Sequence, residues 1–339
     1  MDTCFPRIED THKWLVTGAA GFIGSNLCFE LLTQGQTVVA LDNLSTGYRK
    51  NIDDIALFAK QTSGLFTFID ADVRSIDSCR LACTGVDYVL HQAALGSVPR
   101  SIANPLSSHD TNVNGFVNML EASVSAKVKR FVYASSSSVY GDHPSLPKME
   151  SNVGSLLSPY AATKAINETY ASVFQRIYGI NCIGLRYFNV FGPRQDPNGA
   201  YAAVIPRWIS AATSGGSIEI FGDGRTSRDF CYIDNAVQAN ILAALTTSIH
   251  GTAEVYNIAV SEQTSLLQLA ELIIEQTRFL RKPNVESRDS PITFCAFREG
   301  DVMHSLADIS KAVREIGYKP SYRINEGLVK TILWYLQNS

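Results

Sequence analysis

The chain has 339 residues, which at roughly 150 residues per domain sets a prior of about two domains. Hydrophobic residues make up 45% and charged residues 18%, the balance of a globular chain, so wholesale disorder is excluded. A net charge of −3 leaves no basic excess for nucleic acid or an anionic membrane surface, and no apolar run approaches a membrane span.

Short apolar runs alternate with amphipathic stretches through the first half, the pattern of a parallel sheet with helices on both faces. Strands are predicted at 14–17, 37–41, 66–71, 87–91, 130–135 and 182–187. They read as continuous buried runs rather than strict alternation, as expected where both faces are covered. Ile23, Leu27 and Leu31 share one helical face, and 113–126 and 160–178 read as longer helices. After residue 188 the rhythm breaks into loops at 192–199 and 214–228, with helices again at 265–277 and 325–337. The expected fold is α/β: a Rossmann-type doubly wound parallel sheet with a smaller C-terminal α/β substrate lobe. Residues 1–187, joined by about 232–258, would form the first domain, and 188–231 with 259–339 the second lobe.

The seven cysteines are odd in number and scattered, and only Cys79 and Cys83 lie close, with no partners for a zinc set. Residues 1–13 carry no apolar stretch of the signal-peptide kind. The expectation is a cytoplasmic protein with free thiols and no bound metal.

The first strand runs into Gly18-Ala-Ala-Gly21-Phe22-Ile23-Gly24 and then a helix. Glycines so spaced let the backbone turn tightly and approach a pyrophosphate, which the helix N-terminus attracts. A plain βα turn would look the same, so the second strand decides. It ends at Asp42, 18 residues past Gly24, where a carboxylate can take the hydroxyls of an adenosine ribose and repel a 2′-phosphate. NAD is therefore the expected cofactor, with Asn43 and Gly47 continuing its binding loop.

Tyr160-Ala-Ala-Thr-Lys164 stacks a phenol and an ammonium at i and i+4 on one helix face. A tyrosine is a weak base at neutral pH, and a nearby cation favours its phenolate. Such a pair often means only a packed ring and a solvated lysine. A third element changes the reading: Ser135-Ser136-Ser137-Ser138 follows the fifth strand at its C-terminal end, where ligands of open α/β sheets bind. Tyr160 would serve as acid/base, Lys164 as electrostatic support, and a serine hydroxyl as orienter of an alcohol or ketone. Further on, Arg228 and Arg298 suit a diphosphate by their forked geometry, although each could equally pair with a neighbouring acid on the surface.

The segment TGAAGFIG resembles the extended short-chain dehydrogenase/reductase family, as do Asp72-Val73, His91-Gln92-Ala93-Ala94, Asn112 at a helix start, and SSSVYG before Tyr160. That resemblance implies Asp72 and Val73 at the adenine edge, Gln92 and Ala94 beside the nicotinamide, and Val190 among the cofactor contacts. It implies Ser136 as the catalytic serine and Ser137 as its neighbour. The family's dehydratases and decarboxylases usually carry a carboxylate in this turn, so elimination chemistry is disfavoured. The segments RYFNVFGPR, RTSRDF and REGD resemble nucleotide-sugar epimerases over most of the chain. By that likeness Asn189 and Ser97 contact substrate, Val204 and Phe221 approach a uracil, Arg228 and Arg298 grip the diphosphate, and Asp301 takes the uridine ribose.

Residues 193–208 are similar to a bacterial epimerase group that prefers N-acetylated UDP-hexoses. Ser305 falls where glucose-restricted members carry a bulky tyrosine, leaving room for a 2-acetamido group, unless it merely caps the next helix. The implied activity is reversible C4 epimerisation of UDP-N-acetylglucosamine through a 4-keto sugar, with UDP-glucose or UDP-glucuronate as alternative substrates. A non-catalytic NAD-binding sensor or scaffold is the alternative of another class. The resemblance also implies a homodimer in which the helices at 113–126 and 160–178 pair with their mates. Phe116, Leu120, Phe174 and Ile177 are the candidate contact residues.

Overall fold

A computed structural model describes residues 5–199, 202–247, 253–281, 290–297 and 303–338. Seven parallel strands form the central sheet: β1 (Lys13–Thr17), β2 (Thr37–Asp42), β3 (Leu65–Asp70), β4 (Tyr88–His91), β5 (Arg130–Ser136), β6 (Cys182–Tyr187) and β7 (Glu254–Ile258). Their order is β7-β6-β5-β4-β1-β2-β3. The chain reverses direction across the sheet between β1 and β4, and the crevice at the strands' carboxyl ends opens there.

Alternate residues along each strand serve opposite layers. Trp14, Val16, Val38, Ala40, Leu90 and Val132 pack with Leu27 and Leu31 of the Phe22–Thr33 helix and with Ile241 of the Ile233–Leu245 helix. Leu15, Val39, Leu41, Val89, Phe131 and Tyr133 pack against Phe116 and Leu120 of the Gly115–Ser125 helix and Ala171 of the Pro159–Tyr178 helix. Both faces of β1, β2, β4 and β5 are therefore covered, which is why they read as unbroken apolar runs, whereas edge strand β3 has no buried residue, against expectation.

That packing corrects two of the candidate dimer contacts. Phe116 and Leu120 are fully buried in the second of these layers, where ring-on-ring contacts with Phe131 and Tyr133 hold Phe116. Phe174 is partly buried against the same layer, while Ile177 is exposed.

After β6 the chain leaves the sheet, returns to it with the Ile233–Leu245 helix and β7, and otherwise forms further helices and short strands beside it. Helix Val204–Ser214 is followed by strand Ile218–Phe221, which pairs in parallel with Ile292–Cys295. The stretch 214–228 is thus not the continuous loop expected; its IEIF run finds a partner about seventy residues downstream, invisible to local pattern. Leu266–Leu280 opens with a capping box between Ser265 and Gln268. Ile324–Asn338 is the last helix described. Among the described residues no helix is long and apolar enough to cross a membrane.

Candidate active site

The turn after β1 is shaped by two glycines. Gly18 adopts φ +66°, and a Cβ there would lie 2.8 Å from the Ala93 nitrogen. A Cβ on Gly24 would lie 2.2 Å from the Gly18 carbonyl oxygen, so the helix start can rest on the turn only without a side chain. Gly21 caps the Phe22–Thr33 helix without any side-chain hydrogen bond, and its first turn has no acidic residue. Unpaired N–H groups and the helix dipole are therefore left facing the cleft, as an anionic pyrophosphate requires.

Asp42 ends β2, nearly buried. One carboxylate oxygen accepts the Ala20 N–H at 2.9 Å and the other the Leu44 N–H at 2.8 Å. Burial raises its pKa, and those two backbone bonds oppose the rise. Asn43 donates to Asp72 at 2.7 Å, and Arg74 also grips Asp72, holding its carboxyl down at about 2. The Asp72 carboxylate also accepts the Arg74 N–H just beyond β3, while the next helix, Ile76–Ala82, is capped by Ser75.

One cleft runs from this turn to the end of β5. Gly18, Gly21, Phe22, Ile23, Gly24, Asp42, Asn43, Val73, Gln92, Ala94, Ser136, Ser137, Tyr160, Lys164, Asn189 and Val190 all line it. Gln92 is held by Asn240 and Tyr187 at 3.1 and 3.2 Å. Gly47 approaches Ala20 from the wall behind.

At the β5 end, Tyr160 projects from the first turn of the Pro159–Tyr178 helix, whose Ser158 cap accepts the Ala161 N–H. The Tyr160 N–H donates to Ser101 Oγ at 3.0 Å, fixing the helix against its neighbour. Burial raises the Tyr160 pKa, and a hydrogen bond with Ser136 pulls it the other way. Ser136 Oγ also accepts the Ser138 N–H at 3.1 Å, which sets the hydroxyl's position. Lys164 is buried; its Nζ donates to the Ala134 carbonyl at 2.8 Å and lies 5.8 Å from the Tyr160 ring centre. Burial lowers its pKa to about 8, against the opposing pull of the Glu168 carboxylate. A phenol, a hydroxyl and a buried cation so arranged can move a proton to and from an alcohol oxygen.

Asn112 lies in a π-helical turn, Asp110–Asn114, that continues directly into the Gly115–Ser125 helix, so it does not start a helix. Its amide clamps the Leu95 backbone at 2.7 and 3.1 Å and reaches Thr163 at 3.2 Å.

Of the later substrate-side candidates, Asn189 lines that cleft, whereas Val204, Phe221, Arg228 and Ser305 are not part of its lining. Val204 starts its helix, and Phe221 ends its strand. Arg228 donates to the Ser227 and Met303 carbonyls at 3.0 and 3.3 Å. The Ser305 N–H donates to the same Ser227 carbonyl at 3.0 Å, so Ser305 and Arg228 are neighbours. Ser305 does not cap the following helix, Ser310–Ile316, which begins after Ile309. Ser97, at φ +98°, caps Val98–Ala103 beside the cleft-lining Gly96. Arg298 and Asp301 lie outside the described residues.

Sequence reasoning missed Tyr48, Tyr187, Arg194, Gln195 and Asp196, which also line the cleft. The first follows the glycine turn by about thirty residues, and the last three belong to a loop of the other lobe; no fixed spacing links them.

Residues 14–259 match the model of the NAD dependent epimerase/dehydratase family. The chain is 36% identical over 327 residues to a putative UDP-glucose 4-epimerase of Methanocaldococcus jannaschii, covering 96% of this chain and 99% of that one. It superposes with TM-score 0.87 and 36% identity on a UDP-N-acetylglucosamine 4-epimerase from Methanobrevibacter ruminantium in complex with UDP-N-acetylmuramic acid, covering 97% and 100% of the two chains. A UDP-glucuronic acid 4-epimerase from Bacillus cereus, in complex with UDP-glucuronic acid and NAD, matches with TM-score 0.83 and 31% identity over 96% and 100%. With its seven-stranded sheet, its uncapped glycine turn and a cleft fit for NAD, the chain belongs to the NAD dependent epimerase/dehydratase family.

Proposed function

We propose that the chain is a UDP-N-acetylglucosamine 4-epimerase working with bound NAD. The observation that carries the reading is the meeting of Tyr160, Ser136 and Lys164 at the head of β5, in one cleft with Gly18, Gly21 and Asp42. Bound NAD would supply reversible hydride transfer, with Gly18, Gly21 and Asp42 among the residues that would hold it, so the cycle would consume no cofactor. Tyr160 takes the proton of the sugar 4-hydroxyl, and Ser136 orients that oxygen. Lys164, held on the Ala134 carbonyl, stabilises the phenolate through the space beneath the ring. After the 4-keto sugar has turned its other face to the cleft, Tyr160 gives the proton back. Arg228, with Arg298, holds the diphosphate while the sugar turns, and Asp301 the ribose.

Preference for the N-acetylated sugar is supported by the likeness to the Methanobrevibacter ruminantium enzyme and by the small side chain at Ser305 beside Arg228. Relatives named for UDP-glucose and UDP-glucuronate keep those sugars as the second reading. A uronic acid carboxylate is bound most strongly by a cation. Among the described residues lining the cleft, the cations Lys164 and Arg194 are held by Ala134 and by Asn51 with Asp54. That favours a neutral sugar. Proton NMR of the purified protein with UDP-N-acetylglucosamine alone tests the proposal. Growth of the galacto H4 signal is expected; conversion of UDP-glucose or UDP-glucuronate without it would reassign the substrate.

A further inference from the structure

Residues 192–199 belong to the second lobe, yet they lie along the cofactor cleft and are fastened to the dinucleotide-binding side at three separate places. The Asn26 side chain donates to the Pro193 carbonyl at 3.2 Å. Arg194 lays its guanidinium 4.2 Å above the Phe29 ring and donates to Asn51 at 3.0 Å and to Asp54 at 3.2 Å. The Tyr48 hydroxyl donates to Asp196 at 2.6 Å.

Each fastener leads back to the glycine turn. Asn51 uses its amide N–H to hold the Ala20 carbonyl at 2.8 Å while its oxygen receives Arg194. The Tyr48 N–H donates to that same Ala20 carbonyl at 3.1 Å. The loop is equally tied to its own lobe, since Gln195 donates to the Val190 carbonyl and Tyr335 donates to the Gln195 carbonyl. The Asn198 N–H fixes the Asp196 carboxylate at 2.8 Å. Arg194 keeps a left-handed backbone, φ +71°, which a non-glycine residue holds only where its surroundings enforce it.

We propose that this loop is a strap that retains NAD, with the Tyr48–Asp196 hydrogen bond as its outer fastener and the Arg194 socket as its inner one. Tyr48, Arg194, Gln195 and Asp196 line the cleft together with Gly21, Phe22, Asp42 and Asn43, so a dinucleotide in the cleft lies beneath them. Leaving requires the two lobes to part along this line, and the fasteners oppose that parting. An enzyme that regenerates its cofactor in every cycle has no need to open it. The inference depends on NAD as the cofactor and is independent of which sugar is turned over.

The test is NAD release from the purified holoprotein, followed by exchange of bound NAD for labelled NAD without any sugar nucleotide. Tyr48→Phe keeps the ring and removes one hydrogen bond, so release should quicken about 3- to 10-fold. Asp196→Ala removes the acceptor of that same bond and should act alike, and the double variant should release NAD no faster than Asp196→Ala alone because the bond is then already gone. Arg194→Met should release NAD at least about tenfold faster, since a charged group loses several partners at once. Circular dichroism and melting keep the test independent of folding, and the exposed Tyr48 tolerates its change even if Arg194→Met unfolds the chain. Release within twofold of the unaltered protein in both Tyr48→Phe and Asp196→Ala would overturn the proposal. So would additive effects of the two, which would deny the bond its role.

Discussion

Ser135 and Glu168 tie β5 to the Pro159–Tyr178 helix: the Ser135 hydroxyl donates to the Glu168 carboxylate at 2.5 Å. Ser135 stands between Ala134, which holds Lys164, and Ser136, which meets Tyr160. Glu168 lies one helical turn beyond Lys164 and also receives Arg186 through two bonds of 2.9 and 2.8 Å. The Arg186 side chain is 5% exposed, so its charge depends on that partner. Glu168→Gln should therefore cost of the order of 3–5 kcal/mol, the scale for breaking a buried pair. Chemical denaturation of variant and parent checks it; a loss below about 1 kcal/mol would mean water already screens Arg186.

Tyr160→Phe keeps the ring but removes the oxygen that exchanges the proton. Turnover should vanish while folding and bound NAD remain. Ser136→Ala should reduce kcat by about 10²–10⁴-fold, the usual range for one acid–base participant, with Ser137 supplying a partial substitute. A Phe variant retaining more than a few per cent of activity would remove Tyr160 from the proton step.

The pH dependence follows from Lys164, which burial lowers to about 8. Below that pH the ammonium is present and supports the phenolate; above it the charge is lost. An alkaline limb in kcat with a midpoint near 8 is expected, and Lys164→Met should abolish the limb and lower kcat throughout. Other titratable groups around this lysine stay out of that range: burial pushes His91 down to about 3 and raises Tyr160 above its ordinary value. Stability moves oppositely. Between about 8 and the ordinary lysine value of 10.5, the unfolded chain binds more protons than the folded one, so this group's destabilising effect fades as pH rises. A kcat flat from pH 7 to 10 would refute the assignment.

Substrate width should depend on Ser305. A tyrosine there would overlap an acetamido group three heavy atoms larger than a hydroxyl's oxygen. Overpacking costs roughly 1–3 kcal/mol, so Ser305→Tyr should weaken UDP-N-acetylglucosamine about 5- to 150-fold relative to UDP-glucose. The ratio of kcat/KM for the two sugars measures it. An unchanged ratio would show that Ser305 does not face the sugar.

The proposed homodimer now rests on one helix face. Tyr170, Val173, Ile177 and Tyr178 of the Pro159–Tyr178 helix are all at least 40% exposed, which is costly for so many apolar groups in water. Light scattering at micromolar concentration should give the mass of two chains. Ile177→Glu should shift it to one chain without lowering the melting temperature of the monomer. A monomeric parent would dismiss the pairing.

Six strands, the glycine turn, Asp42 and the pairing of Tyr160 with Lys164 were legible in the sequence because each is set by local spacing. A buried parallel strand is an unbroken apolar run, a turn at φ +66° calls for glycine, and i, i+4 residues always share a helix face. Tertiary structure alone decided what depends on partners distant in the chain. Ile218–Phe221 becomes a strand only against Ile292–Cys295, and β7 only against β6. Phe116 and Leu120 have the same hydrophobic spacing whether they face the sheet or a second chain, and the Phe131 and Tyr133 rings settle that they face the sheet. Tyr48 and Asp196, 148 residues apart, meet because the chain after β6 folds back over the cleft at the glycine turn. Periodicity records which face of an element is apolar; only the folded chain determines what that face meets.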